Sequence, residues 1–137
     1  MPPATLAIDF GTSNSAAAML RDGAPCRLPI ERAAETLPTA VFFPADRGPM
    51  RIGAAAAEAL TAGEEGRYMR ALKSVLGTPL FHEPRLIGGQ RRTLAAVVTA
   101  FLAEVRLRAE GVAGQPFRRA LSGRPVVLSQ WDARSPD

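Results

Sequence analysis

Apolar and polar positions alternate from the start of the chain, and the first clear pattern is a pair of short strands, Thr5 to Phe10 and Ser15 to Leu20, around the polar turn Gly11-Thr12-Ser13-Asn14. This spacing predicts a β-hairpin with a solvated tip. Ala24 to Ile30 reads as an edge strand, because Pro25 and Pro29 remove ladder donors. Leu37 to Phe43 is bulky and β-branched, so one strand is expected there, closed by Pro44 and the turn Asp46-Arg47-Gly48-Pro49. Met50 to Gly53 reads as a short strand and Ala54 to Thr61 as a helix stopped by Gly63. Between Gly66 and Gly77 the apolar residues Tyr68, Met69, Leu72, Val75 and Leu76 fall at helical spacing and predict a short amphipathic helix, with Arg70 and Lys73 adjacent at i and i+3. Pro79 to His82 reads as a strand, and Arg85 to Arg92 as a hairpin turning at Gly88-Gly89. Thr93 to Glu110 carries the strongest periodicity. Thr93 is placed as N-cap, Leu94, Val97, Val98, Phe101, Leu102 and Val105 form one apolar face, and Gly111 is the expected stop. A last strand returns over Arg118 to Gly123.

Strands and helices in this order predict an α/β fold, a mixed sheet with packed helices. With 137 residues there is room for one core. The composition, 47% hydrophobic and 22% charged, is that of a globular chain rather than a disordered one. No apolar run reaches the ~18 residues of a membrane span and no signal-type segment opens the chain, so no membrane contact and a cytoplasmic location are expected. One cysteine, Cys26, permits no internal disulfide and is expected to be a small apolar filler in or near a strand. The net charge of +4 invites a nucleic-acid reading, but the arginines are scattered and not interleaved with aromatics, so no nucleic-acid partner is expected. His82 stands alone, without a second ligand at metal spacing. Of 17 basic side chains only Lys73 is a lysine.

The chemistry concentrates at the first turn. Gly11 allows close approach of a ligand, and Thr12, Ser13 and Asn14 bring hydroxyls, an amide and backbone N–H donors to one place, which suits phosphate oxygens. Asp9 just before the turn would repel a bare phosphate, and a Mg ion between them would make the combination attractive. The same pattern also serves a turn that binds nothing. Neither G-x-x-x-x-G-K-[ST] nor a G-x-G-x-x-G after a strand occurs.

Ile8-Asp-Phe-Gly-Thr-Ser-Asn-Ser15 resembles the first phosphate-loop segment of the actin-like ATPase superfamily, in its heat-shock chaperone branch of the DnaK type. Thr36 to Phe43 is similar to that family's threonine-proline strand, Arg51-Ile52-Gly53 to its strand-end glycine, Ala71 to Gly77 to its lysine-bearing helix end, and Ala120 to Val126 to its strand ending in valine-proline. Here Gly123-Arg124-Pro125 stands at the last position, which looks more like the short YegD-type homologues. The resemblance implies a ribonuclease-H-like half-lobe of an actin-like ATPase domain, truncated, with a small inserted subdomain from about Leu37 to Gln90. It implies ATP and Mg as cofactors, Lys73 as a catalytic residue at the γ-phosphate, Asp9 as the catalytic carboxylate holding Mg through water, and Gly11 to Asn14 as phosphate ligands. Pro125 with Arg124 becomes a switch candidate. Nucleotide, and client or co-chaperone proteins, are the partners it implies; the oligomeric state stays open. Ser135-Pro136-Asp137 reads as a helix start, and with the length of the matching domain this gives the expectation of a fragment that is inactive alone. Two other classes stay open: a small-molecule kinase of the same superfamily, and a non-enzymatic protein-binding module.

Overall fold

The computed structural model describes residues 5–32 and 34–122. Strand β1 (Thr5–Phe10) and strand β2 (Asn14–Arg21) pair antiparallel, with Leu6 opposite Met19, Ile8 opposite Ala17 and Phe10 opposite Ser15. These residues are buried, and the alternate positions put Asp9 and its partner Ala16 on the other face. Strand β3 (Ala24–Arg27) follows the tight turn Asp22-Gly23 and lies at the sheet edge, where Pro25 forfeits no needed ladder bond. Cys26 is exposed there, so it fills no core gap. An edge strand with its neighbour on one side only leaves the thiol in water.

The expected strand from Leu37 to Phe43 is two strands in two sheets. Strand β4 (Thr36–Pro38) pairs with the start of β2, and strand β5 (Ala40–Pro44) becomes the centre of a three-stranded sheet. Thr39 is the link between them, which is why uniform β propensity over the stretch does not give one ladder. Strand β6 (Arg51–Ile52) pairs with one side of β5, and Gly53 opens helix α1 (Ala54–Thr61), as the sequence predicts.

The amphipathic helix expected from Gly66 to Gly77 does not form. Gly66–Arg70 is strand β7, pairing with the other side of β5 from Pro44↔Gly66 to Ala40↔Arg70, and Leu72–Val75 is a short 3-10 turn. Tyr68, Met69 and Leu72 satisfy a helical period, but β5 is buried along its whole length and its open edge needs a partner. Gly66 fits this role because a Cβ there would strike the Phe43 carbonyl and the Phe42 ring. Pro79–His82 is likewise a 3-10 turn rather than a strand, with Pro79 at its first position, where the missing N–H costs nothing. Strands β8 (Arg85–Ile87) and β9 (Gln90–Arg92) form the expected hairpin.

Helix α2 (Leu94–Ala113) starts as predicted, the Thr93 hydroxyl accepting from Ala96 N–H at 3.0 Å. Its apolar face packs on the first sheet, Phe101 meeting Phe10 with ring centroids 5.9 Å apart. The helix runs through Gly111 and stops at Gly114, whose left-handed conformation (φ 72°) lets its N–H reach the Glu110 carbonyl at 2.8 Å. A helical glycine costs only about 1 kcal/mol. The buried Ala109 and Phe117 flank this turn and favour the later stop. Strand β10 (Arg119–Ser122) then lies parallel to β1, completing a five-stranded mixed sheet. The fold is α/β: among the described residues, a five-stranded mixed sheet, a three-stranded sheet and the β8–β9 hairpin pack with two α-helices. No helix among the described residues is long and apolar enough to cross a membrane.

A buried carboxylate ties the layers together. Glu31 accepts the first N–H of α1, Ala54 N, at 2.6 Å and meets Arg108 of α2 at 3.3 Å, while Arg108 also donates to the Ile30 carbonyl. Glu31→Ala should therefore cost about 1–3 kcal/mol in urea unfolding, because it orphans a helix N–H and a half-buried guanidinium together. At the far end of α2, Glu110 accepts from Phe117 N–H at 2.8 Å and from Arg106. These contacts hold its carboxyl below the usual 4.5, the backbone bond being the larger cause. A depressed carboxylate pKa stabilises above the unfolded value and loses that contribution as pH falls through the folded one. Glu110→Gln should accordingly flatten the fall in Tm below about pH 4.5, measured by thermal melts across pH.

Candidate functional site

The β1–β2 turn is held by one short bond, Gly11 N–H donating to the Asn14 carbonyl at 3.1 Å. A Cβ on residue 11 would run into that same carbonyl oxygen, so the closure requires glycine. Thr12, Ser13 and Asn14 project into solvent. The backbone N–H groups of Thr12 and Ser13 have no acceptor among the described residues. Free donors beside two hydroxyls are what an oxyanion requires.

The tip is not loose. Thr39 N–H donates to the Ser13 carbonyl at 3.0 Å, and below it the Ser15 and Thr39 hydroxyls are 2.7 Å apart, both side chains buried. Thr39 thus has a structural role. By pinning the tip to the β4–β5 link it leaves an open cleft of about 380 Å³. Ser13 is bonded to Thr39 and Arg70 pairs with Ala40, so the link Pro38, Thr39 and Ala40 lies at the base between Thr12 and Ser13 on one side and Tyr68, Arg70 and Ala71 on the other. Ligand pockets run from about 300 to 1,000 Å³, and this space falls at the small end of that range.

The expected site residues are only partly brought together. Thr12 and Ser13 line the cleft; Gly11 and Asn14 form the turn behind them. Asp9 is exposed on the outer face of β1, opposite Ala16, and does not line the cleft. Lys73 is exposed on the 3-10 turn two residues beyond Ala71, also outside the lining. It shares no helix face with Arg70, because Ala71 between them takes a left-handed conformation (φ 56°, ψ 38°) that turns the chain. Arg124 and Pro125 lie outside the described residues. His82 is exposed, with the Phe81 ring edge-on to it.

Arg70 and Tyr68 were not expected at the site. Their signal was present in the i, i+2 spacing, which places both on one face of a strand, but it is outweighed in the sequence by the helical spacing around it. Among the described residues no three His, Cys, Asp or Glu side chains group together as a metal site. Asp9 is a single exposed carboxylate outside the cleft lining, so a hard cation held there would take most of its ligands from water and phosphate oxygens. Compared with models of known protein families, the chain matches none.

The hydroxyl pair supplies a direct check on how the cleft is held. Ser15→Ala or Thr39→Val alone should cost about 1–3 kcal/mol by leaving the other hydroxyl buried without its partner. The double variant should cost less than the sum, and a denaturant double-mutant cycle measures the coupling. Additive losses would mean that the two hydroxyls do not sustain each other.

Proposed function

We propose that the chain is the first part of a chaperone-like, actin-type ATP-binding domain, and that its β1–β2 turn takes the phosphates of Mg·ATP. The observation that carries this reading is the pair of free N–H groups at Thr12 and Ser13, held over a cleft by the Thr39 link. A hairpin-led mixed sheet, in which a long helix precedes a strand parallel to the first, is compatible with a ribonuclease-H-like half-lobe. Asp9 would hold Mg through water, and Gly11 and Asn14 would shape the phosphate-binding turn. Exposed and without an ion pair among the described residues, Lys73 is free to extend towards a terminal phosphate. Mg would offset the charge of the phosphates and lower the barrier to their transfer. In this reading the protein works in the cytoplasm, Arg124 and Pro125 belong to a switch, and client or co-chaperone proteins are the partners.

A half-cleft of this size holds few of the contacts that ATP needs, so the 137 residues alone should bind Mg·ATP weakly and turn it over little. Titration with Mg·ATP, followed by amide resonances, should move Thr12 and Ser13 first. Asp9→Ala should weaken the Mg-dependent part at least tenfold while leaving Tm nearly unchanged. Equal affinity in Asp9→Ala, or shifts that avoid the turn, would refute the assignment. In a longer chain carrying the rest of the nucleotide cleft, Lys73→Ala should reduce hydrolysis at least tenfold with little change in ATP affinity.

A further inference from the structure

We infer that Arg70 is the anion-binding cation of the cleft, gripping the terminal phosphoryl group of a polyphosphate from the wall opposite Thr12 and Ser13. This rests on the phosphate reading of the hairpin and adds a ligand on the other side of it. Arg70 is the one charged side chain among the residues lining the cleft. It has no ion-pair or hydrogen-bond partner among the described residues, whereas Arg32, Arg51, Arg106 and Arg108 each meet a carboxylate. Its position is fixed by register: as the last residue of β7 it lies opposite Ala40, immediately after the Thr39 link. Ala40 is small and buried, and Arg70 itself is exposed.

The next residue strengthens this placement. Ala71 takes a left-handed conformation that is unfavourable for a residue with a Cβ. The kink ends the strand at Arg70, leaving it on the cleft wall, and carries Lys73 away onto the 3-10 turn. Left-handed non-glycine residues held by their surroundings cluster at ligand sites. Across the cleft the lining offers hydroxyls and free N–H donors, and no carboxylate competes for the guanidinium. A cleft with donors on one wall and a planar, permanently charged fork on the other selects an oxyanion with oxygens on more than one side. Phosphate at the end of a polyphosphate chain meets that description. The Arg70 contact needs no metal, which separates it from the role proposed for Asp9.

The test is binding of inorganic tripolyphosphate to the 137-residue chain without divalent metal at low salt, followed by the amide resonances of Thr12, Ser13 and Ala71. Wild type is compared with Arg70→Ala and Arg70→Lys, and with Arg67→Ala, which removes an exposed arginine of the same strand that does not line the cleft. Variants are compared once their melting temperatures agree with wild type; Arg70→Lys serves if Arg70→Ala does not fold. Saturable binding, weakened at least tenfold by Arg70→Ala, partly by Arg70→Lys and under twofold by Arg67→Ala, is the expected result. Equal weakening by Arg67→Ala and Arg70→Ala would reduce the effect to general charge and overturn the inference, as would no saturable binding in wild type. Mg·ATP titrated into the same variants separates the two readings. ATP binding that depends on Asp9 but not on Arg70 would remove Arg70 and leave the proposed function. Tripolyphosphate binding that depends on Arg70, with ATP binding that ignores Asp9, would keep the anion site and remove the nucleotide reading.

Discussion

Two hydroxyl groups inside the molecule, Ser15 Oγ and Thr39 Oγ1, lie 2.7 Å apart where the five-stranded sheet meets the three-stranded one. The chain leaves the first sheet at Pro38 and enters the second at Ala40, so Thr39 belongs to neither ladder and its backbone must be satisfied locally. It donates its N–H to the Ser13 carbonyl and spends its hydroxyl on Ser15. A valine would fit the space but strand the serine. Once Thr39 is fixed, the hairpin tip is set on one side and β5 on the other, and the floor of the cleft is the link itself. The site is therefore a consequence of a change of sheet, not an ornament added to a finished fold.

Glu31 does for the helices what Thr39 does for the sheets. A buried carboxylate is tolerated only when its oxygens are used, and here one takes the N-terminal N–H of α1 while the other faces Arg108 of α2. The exposed pairs Arg32–Glu58 and Arg51–Glu64 lie in water, where solvent screening and side-chain entropy leave an ion pair little net effect. The decisive polar contacts are thus the few that bridge elements. Apolar burial supplies the bulk of stability, with Leu6, Ile8, Phe10 and Phe101 meeting between β1 and α2.

What could be read from the sequence was local. The α2 face, its Thr93 cap, the hairpin at Gly11 to Asn14, the limits of α1 and the hairpin at Gly88-Gly89 all depend on residues within a turn or two of one another. The expectations that failed depend on a distant partner. Tyr68, Met69 and Leu72 suit a helix in isolation, and only the open edge of β5 makes Gly66–Arg70 a strand. Leu37 to Phe43 suits one strand, and its division at Thr39 goes with that residue's bonds to the distant Ser13 carbonyl and Ser15 hydroxyl. Gly111 and Gly114 both suit a helix stop, and the choice falls to the one beside the buried Phe117. The same applies to the site. Thr12 and Ser13 were legible because the turn is local, whereas Arg70 reaches the cleft only through strand pairing.

The separation between Asp9 and the cleft has a consequence for how metal and anion would combine under the proposed reading. Asp9 is exposed and lies on the sheet face outside the cleft lining, so its field is screened by water and salt. One such carboxylate holds Mg poorly, since this ion dehydrates reluctantly and wants several oxygens in octahedral array. Phosphate oxygens must supply the others. The hairpin donors and Arg70, by contrast, can engage an anion without waiting for metal. Anion capture and metal capture are then unequal steps: the polyphosphate chain can seat first against Thr12, Ser13 and Arg70, and the ion is held only when phosphate oxygens are presented to it beside Asp9.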